Sequence, residues 1–351
     1  MTVEPTSALL AAVPMPIVLI GSDKRIHALN AGAEELFGAS AIGRHYITVL
    51  RQPALLNAIE EAHSRRVDSH ARYLDTNMVR EAVYRVLARP LAPDPDGSVK
   101  VLVSFQDVTD LEQAGQMRRD FVANVSHELK TPLTALSGFI ETLRGAARDD
   151  PAARERFLAI MEREAGRMNR LVSDLLSLSR VESAERQRPT GQVDMAALVD
   201  STLVTLRALS QADVMEFEVE RINEGPFVVS GDADQLQQVV TNLVENAIKY
   251  GADGGKVAIR LEHKTRELAI RGPGIKLEIE DYGEGFDPIH IPRLTERFYR
   301  VDGHRSREMG GTGLGLAIVK HIINRHRGRL KIDSEPGQGA RFTVLLPAAG
   351  P

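Results

Sequence analysis

Between Phe121 and Leu143 the apolar positions step by four and three: Phe121, Val125, Leu129, Pro132, Leu136, Phe139 and Leu143. That period predicts a helix ending near Gly145 that packs along a bundle seam. A second helix is predicted from Pro151, because Asp149-Asp150-Pro151 supplies an acidic cap and a proline at the first helical position. Phe157, Met161, Met168, Leu171, Leu175 and Leu178 form its seam. Two long antiparallel helices with one apolar stripe each bury little alone, so the hairpin is expected to pair with its copy in a four-helix bundle. Pro132 removes one backbone hydrogen bond and is expected to bend the first helix just past His127, at a cost of about 3 kcal/mol in an ordinary helix.

Upstream the pattern is mixed. Ile17–Ile20 and Ile26–Leu29 read as strands around the turn Gly21-Ser22-Asp23, and Asn30 caps a short helix that stops at Gly38. Glu81–Ala88 and Val99–Gln106 read as strands joined by the polar turn Ala92–Gly97. Downstream of a linker at Ala184–Gly191, Asp194 can cap a helix to about Leu209. Val214–Glu220 and Phe227–Ser230 are predicted strands, and Asp232-Ala233-Asp234-Gln235 is a capping box opening a helix to Tyr250. Lys256–Leu261, Ile275–Glu280, Arg329–Ile332 and Arg341–Leu346 are strands, with Leu316–Arg325 helical. This order predicts a two-layer α/β sandwich. The whole is a multidomain α+β chain, with units expected at 1–109, 110–184 and 190–347.

Composition narrows the function more than the fold. A 351-residue chain has room for two or three domains. The net charge of −4 gives no reason to expect a nucleic acid or an anionic membrane as main partner. With no cysteine, thiolate metal sites, disulfides and cysteine nucleophiles are excluded. His27, His45, His63 and His70 are scattered without metal-ligand spacing. The longest apolar run, Leu9–Ile20, holds Pro14 and Pro16 and is short of the roughly 20 residues a membrane span needs. A cytosolic protein, or the cytosolic part of a membrane-anchored one, is expected.

Four stretches carry candidate chemistry. In FVANVSHELKTPL, His127 lies off the apolar seam, with Glu128 beside it and Thr131 one turn on. Alone, such a histidine is as readily a solvated surface residue. In Asn242–Tyr250, Asn242 and Asn246 are a helical turn apart and Lys249 adjoins them. An amide oxygen there suits magnesium shared with phosphate oxygens, although an asparagine pair on a helix is more often structural. Asp281-Tyr282-Gly283-Glu284-Gly285 ends a strand. Its glycines let backbone approach a ligand, and its carboxylate can accept from an exocyclic amine; by itself it is also an ordinary turn. Gly310-Gly311-Thr312-Gly313-Leu314-Gly315-Leu316 runs into a helix, and glycine-rich backbone at a helix N-terminus offers amides to phosphate. It is neither a P-loop nor a dinucleotide fingerprint. Between the last two stretches, Phe286–Met309 has little periodicity and reads as a lid from which Arg300 can reach terminal phosphates.

The segment 121–133 resembles the phospho-acceptor box of sensor histidine kinases, and the asparagine and glycine boxes resemble those of the ATP-binding fold shared with gyrase-type ATPases. All four occur in that family's order across roughly 110–347, and the first unit, ending in Asp107-Val108-Thr109, resembles the PAS sensory fold. Met117–Asn124 and Arg293–Asp302 are similar to the phosphate-regulon branch of the family. The resemblance implies that His127 is phosphorylated, that Glu128 assists as general base, and that Thr131 positions water for dephosphorylation of a partner aspartate. It implies ATP and Mg²⁺ as cofactors, with Asn246 as the metal ligand and Asn242 in the same box. Lys249 and Arg300 are implied on phosphates, Tyr250 against adenine and Asp281 on its amino group. Gly283, Gly285, Gly311, Thr312, Gly313, Leu314 and Gly315 complete the nucleotide site. It further implies a homodimer that passes its phosphoryl group to a separate response regulator, under an upstream signal the resemblance does not name.

Two other functions share some of these features. A gyrase- or chaperone-type ATPase carries a water-activating glutamate where Asn242 stands, and an asparagine is no general base. A non-catalytic scaffold would have lost His127, Asn246 or the glycines, and all are present.

Overall fold

The computed structural model describes residues 10–76, 81–96, 98–184, 187–209, 215–251, 254–302 and 311–349. The chain divides into two compact units, Met1–Ala123 and Asn124–Pro351.

Among the described residues, the first unit is built on an antiparallel sheet ordered β2-β1-β5-β4-β3. Its strands are β1 (Ile17–Ile20), β2 (Ile26–Leu29), β3 (Ser69–Asp75), β4 (Ala82–Pro90) and β5 (Val101–Asp107). Between β2 and β3 lie α1 (Ala31–Phe37), α2 (Tyr46–Val49) and α3 (Pro53–Arg65). Proline opens α3, and its Leu55, Ala58, Ile59 and Ala62 recur at helical spacing and are buried. They join Val18, Ile20, Val86, Val103 and Phe105 in one core. Asn30 knots the start of the sheet. Its Oδ1 accepts from Ile17 N (2.8 Å) and Ala33 N (3.1 Å), while its Nδ2 donates to Val13 O (3.0 Å) and Met15 O (2.8 Å). The cap expected at Asn30 is thus also a tertiary tie. The Ala92–Gly97 turn closes through Asp94 N on Ser98 O at 2.8 Å; Gly97 itself lies outside the described residues.

Helix α4 (Thr109–Arg144) follows β5 directly and is continuous through Pro132. Asp107 Oδ1 accepts from Thr109 N at 2.8 Å and from its hydroxyl at 2.6 Å, tying strand end to helix start. The division into compact units falls inside this helix, at Ala123–Asn124, and the helix itself starts at Thr109, the end of the first expected unit.

In the second unit α4 turns at Gly145 into α5 (Pro151–Ala184). Asp150 Oδ1 accepts from Ala152 N and Ala153 N, both at 3.0 Å, as the acidic cap predicted. The hairpin closes through the stacked rings of Phe139 and Phe157, 5.3 Å apart, and through Arg167 on Glu128 at 2.8 Å. The hairpin and the sandwich share one compact unit, since α5 packs along the last helix of the sandwich.

The sandwich begins with β6 (Gln192–Asp194), just after the stretch read as linker, which pairs with β8 (Val228–Ser230). Its main sheet runs β11 (Arg329–Ser334), β12 (Ala340–Pro347), β10 (Gly272–Asp281), β9 (Lys256–Glu267) and β7 (Glu216–Arg221). Neighbours are antiparallel except β7 and β9. Val214, expected to open β7, lies outside the described residues. Helices α6 (Met195–Leu209), α7 (Ala233–Tyr250) and α8 (Gly315–Arg325) complete the two layers. Leu236, Val240, Leu243 and Val244 of α7 and Ile318, Ile322 and Ile323 of α8 are buried along with Ile259, Leu277, Ile279 and Val344 of the sheet.

The capping box at Asp232 is half made. Asp232 Oδ1 accepts from Gln235 N at 3.2 Å, but the Asp232 N–H donates to His326 Nε2 at 3.0 Å rather than to Gln235. The returning partner comes from the end of α8, not from the first turn of α7. No helix among the described residues is long and apolar enough to cross a membrane.

Candidate active site

A cavity of about 470 Å³ opens beside α7 in the second unit. Asn242, Asn246, Lys249 and Tyr250 reach it from α7, Asp281 and Gly285 from the end of β10, Arg300 from the segment after Phe286, and Gly311, Thr312, Gly313 and Gly315 from the turn before α8. The helical spacing brings both asparagines to one side as expected.

Asp281 is nearly fully buried at 3% exposure. Burial pushes its carboxyl up, opposed by the amides of Gly283 (3.1 Å) and Ala340 (3.3 Å), which donate to Oδ1. Asn242 Nδ2 donates to Gly315 O at 3.3 Å and fastens α7 to the start of α8. Lys249 Nζ meets Glu245 Oε2 at 3.0 Å. Arg300 Nη2 donates to Gly311 O at 2.8 Å.

Two predicted residues serve the site without lining it. A Cβ on Gly283 would stand 2.1 Å from Tyr250 O, so this glycine permits the chain to cross the end of α7. Leu314 is fully buried and seats the glycine-rich turn on the core. Gly313 has φ +74 and its missing Cβ would stand 2.9 Å from Phe298 Cα, where Phe298 N donates to Gly313 O at 2.8 Å. The lid expected over Phe286–Met309 contains a 3-10 turn, Pro288–Arg293, followed by Tyr299, whose hydroxyl lies 2.7 Å from His290 Nδ1. Its residues 303–309, and Gly310 of the glycine box, lie outside the described residues.

His127 is exposed on α4, away from the seam, as its position implied. Thr131 Oγ1 donates to His127 O at 3.1 Å. Glu128 turns the other way: its carboxylate accepts from Arg167 Nη2 at 2.8 Å and meets Arg300 Nη2 at 3.4 Å. The residue beside the histidine thereby contacts a residue lining the cavity. Sequence reasoning missed that α5 forms a wall of this cavity, through Arg170, Ser173 and Asp174.

A buried carboxylate, an amide pair and a glycine-rich helix start thus line one cavity, and an exposed histidine stands on a helix tied to it. Residues 117–184 match the His Kinase A (phospho-acceptor) domain. Residues 231–350 match the histidine kinase-, DNA gyrase B-, and HSP90-like ATPase domain. The chain belongs to the sensor histidine kinases of two-component systems, enzymes that use ATP to phosphorylate histidine. Among its relatives, the phosphate regulon sensor protein PhoR of Pseudomonas aeruginosa is 36% identical over 350 residues, 99% of this chain and 74% of that protein. The sensor histidine kinase WalK of Bacillus subtilis is 35% identical over 252 residues, 72% of this chain and 40% of that protein. The fold matches a crystal structure of the histidine kinase ThkA in complex with the response regulator protein TrrA. That likeness has a TM-score of 0.52 at 21% identity and covers 97% of this chain and 98% of that one.

Proposed function

We propose that His127 takes the γ-phosphoryl group of ATP bound in the cavity and passes it to an aspartate of a separate response regulator. The observation that carries this reading is the contact of Glu128 with Arg300, which links the helix of the acceptor to the wall of the cavity. Transfer is in line, and positioning and charge neutralisation supply most of the catalysis. A neutral ring nitrogen of His127 attacks the γ-phosphorus as the bond to the β–γ bridging oxygen breaks. Glu128, which is held by Arg167 and Arg300 in this structure, would have to turn from them to take the ring proton and balance the imidazolium. Lys249 and Arg300 neutralise phosphate oxygens, Tyr250 lies along the base, and Asp281 accepts from its amino group. The amide oxygens of Asn242 and Asn246 beside Glu245 are the hard oxygen donors magnesium prefers. Asn246 would hold the ion, which would supply screening of phosphate charge when bound with ATP. Thr131, one turn from His127, orients water for dephosphorylation of the regulator.

The acting species is a homodimer. Leu133, Ile140, Leu158, Val172 and Leu176 are 45–56% exposed along α4 and α5, a second apolar stripe beyond the intrachain seam. A second copy of the hairpin would cover it. The first unit, a five-stranded sheet whose last strand leads straight into α4, is read as the PAS-like sensor. Incubation with γ-labelled ATP and Mg²⁺ is expected to give an acid-labile, base-stable phosphoprotein that His127→Ala abolishes. Label persisting in that variant would displace the acceptor assignment.

A further inference from the structure

One wall of the cavity belongs to α5, and on that wall Asp174 does something the phosphotransfer chemistry does not ask for. Its Oδ2 accepts from Thr312 Oγ1 at 2.7 Å. Thr312 stands in the glycine-rich turn before α8, whose donors are the cradle read above for phosphate oxygens. A carboxylate oxygen and a phosphate oxygen are alike to such a donor: each is an anionic acceptor. Asp174 therefore presents an acceptor of the nucleotide's own kind, on a helix outside the sandwich. The charged groups that bear on it are Arg170 of its own helix and Glu245 and Lys249 of α7. Burial pushes the Asp174 carboxyl up, and the Thr312 hydroxyl opposes that. Ser177 Oγ on Gln238 Oε1 (2.7 Å) and Arg297 on Glu182 (2.5 Å) hold the same face of α5 against the sandwich.

We propose that Asp174 sets the ATP affinity of this kinase by acting as an intramolecular competitor. It binds Thr312 while α5 is docked, and the triphosphate must displace it and tolerate or expel its charge. This rests on the ATP reading of the cavity. An arrangement docked about nine-tenths of the time weakens apparent binding about tenfold, since only the competent fraction binds.

The test is the dissociation constant of the full chain for a fluorescent ATP analogue and, by displacement, for ATP and adenosine. Wild type is compared with Asp174→Asn, which removes the charge at equal size, and Asp174→Ala, which removes charge and contact. The expected result is a Kd for ATP lowered about three- to tenfold in both variants, with adenosine, which carries no phosphate, unchanged. A fall in Asp174→Ala alone still supports competition, carried by the contact rather than the charge. Unchanged or weaker ATP binding in folded Asp174→Ala overturns the proposal, as does an equal gain for adenosine, which would report general loosening. A wild-type chain that fails to bind ATP, or an Asn246→Ala chain that binds it equally well, would instead overturn the nucleotide reading itself.

Discussion

Glu128 and Arg300, 172 positions apart, bring carboxylate and guanidinium to 3.4 Å, and Arg167 holds the same carboxylate oxygen at 2.8 Å. The Arg167 and Glu128 side chains are 14% and 12% exposed, so this pair is screened far less than a surface bridge. Arg167→Ala is expected to cost about 1.5–3 kcal/mol, the range for hydrogen bonds to charged groups. Urea unfolding followed by far-UV circular dichroism measures it. In a double-mutant cycle with Glu128→Gln the two costs should not add; additive costs would show that the contact contributes nothing.

The exposed stripe on the hairpin gives a second expectation. Ile140→Asp combined with Leu176→Asp places charges where the proposed second copy packs, and should convert the dimer to monomer by sedimentation velocity. Fluorescent-ATP binding should survive, since neither residue lines the cavity. An unchanged sedimentation coefficient would move the dimer contact elsewhere.

Gly285 sits at φ +60, and a Cβ there would lie 2.2 Å from Glu335 O. The left-handed backbone alone costs a non-glycine residue about 1–2 kcal/mol, and the clash with backbone adds to it. Gly285→Ala is expected to lower the midpoint of urea unfolding of the ATP-binding sandwich and to weaken fluorescent-ATP binding. Gly337→Ala, at φ +80 with nothing near its Cβ position, isolates the conformational cost and should leave binding intact.

His326, 1% exposed, donates from Nδ1 to Ile322 O at 2.7 Å and accepts the Asp232 N–H at Nε2. The bond accepted at Nε2 requires the neutral ring, whereas the one donated from Nδ1 does not. Burial pulls its pKa below the ordinary 6.5, with Arg325 and Arg188 acting the same way and Asp232 against. The unfolded chain then binds the extra proton first. The stabilising contribution is whole above pH 6.5 and is lost as pH falls through that value towards the lower folded pKa. The loss is at most about 1.4 kcal/mol per pH unit for one group. Comparing urea midpoints at pH 8 and pH 5.5, His326→Gln should lose this part of the slope; an identical slope would assign the acid sensitivity to other groups.

Local signals were legible in the sequence because their partners are local. Asp150 and Asp194 cap the helices that start beside them, and each accepts from amides two and three positions on. The seam residues of both long helices are shielded as the period required. Strand β3 escaped because its alternation is blurred at its ends. Ala71 and Tyr73 face the core, but Ser69 and Asp75 at the strand's ends are buried too while Leu74 is 41% exposed, so polar residues break the alternation. Contacts that depend on distant chain were invisible for a different reason. The partner of Asp174 lies 138 positions away and that of the Asp232 amide 94 away, and no local preference encodes either. The nucleotide boxes were readable as motifs, yet the wall that α5 adds to them had to be seen in three dimensions.

The face of the main sheet turned away from the helices carries alternating charge. Arg260 bonds Glu278 at 3.0 Å and Glu280 at 2.6 Å, Lys276 reaches Glu278 at 2.6 Å, and Arg341 returns to Glu280 at 2.5 Å. Satisfied charges of both signs give a neighbouring protein neither an apolar surface to cover nor an unmatched field to answer. Under the proposed transfer to His127 and then to a regulator, a back that binds neither is of use. The traffic is then confined to the front of the sandwich.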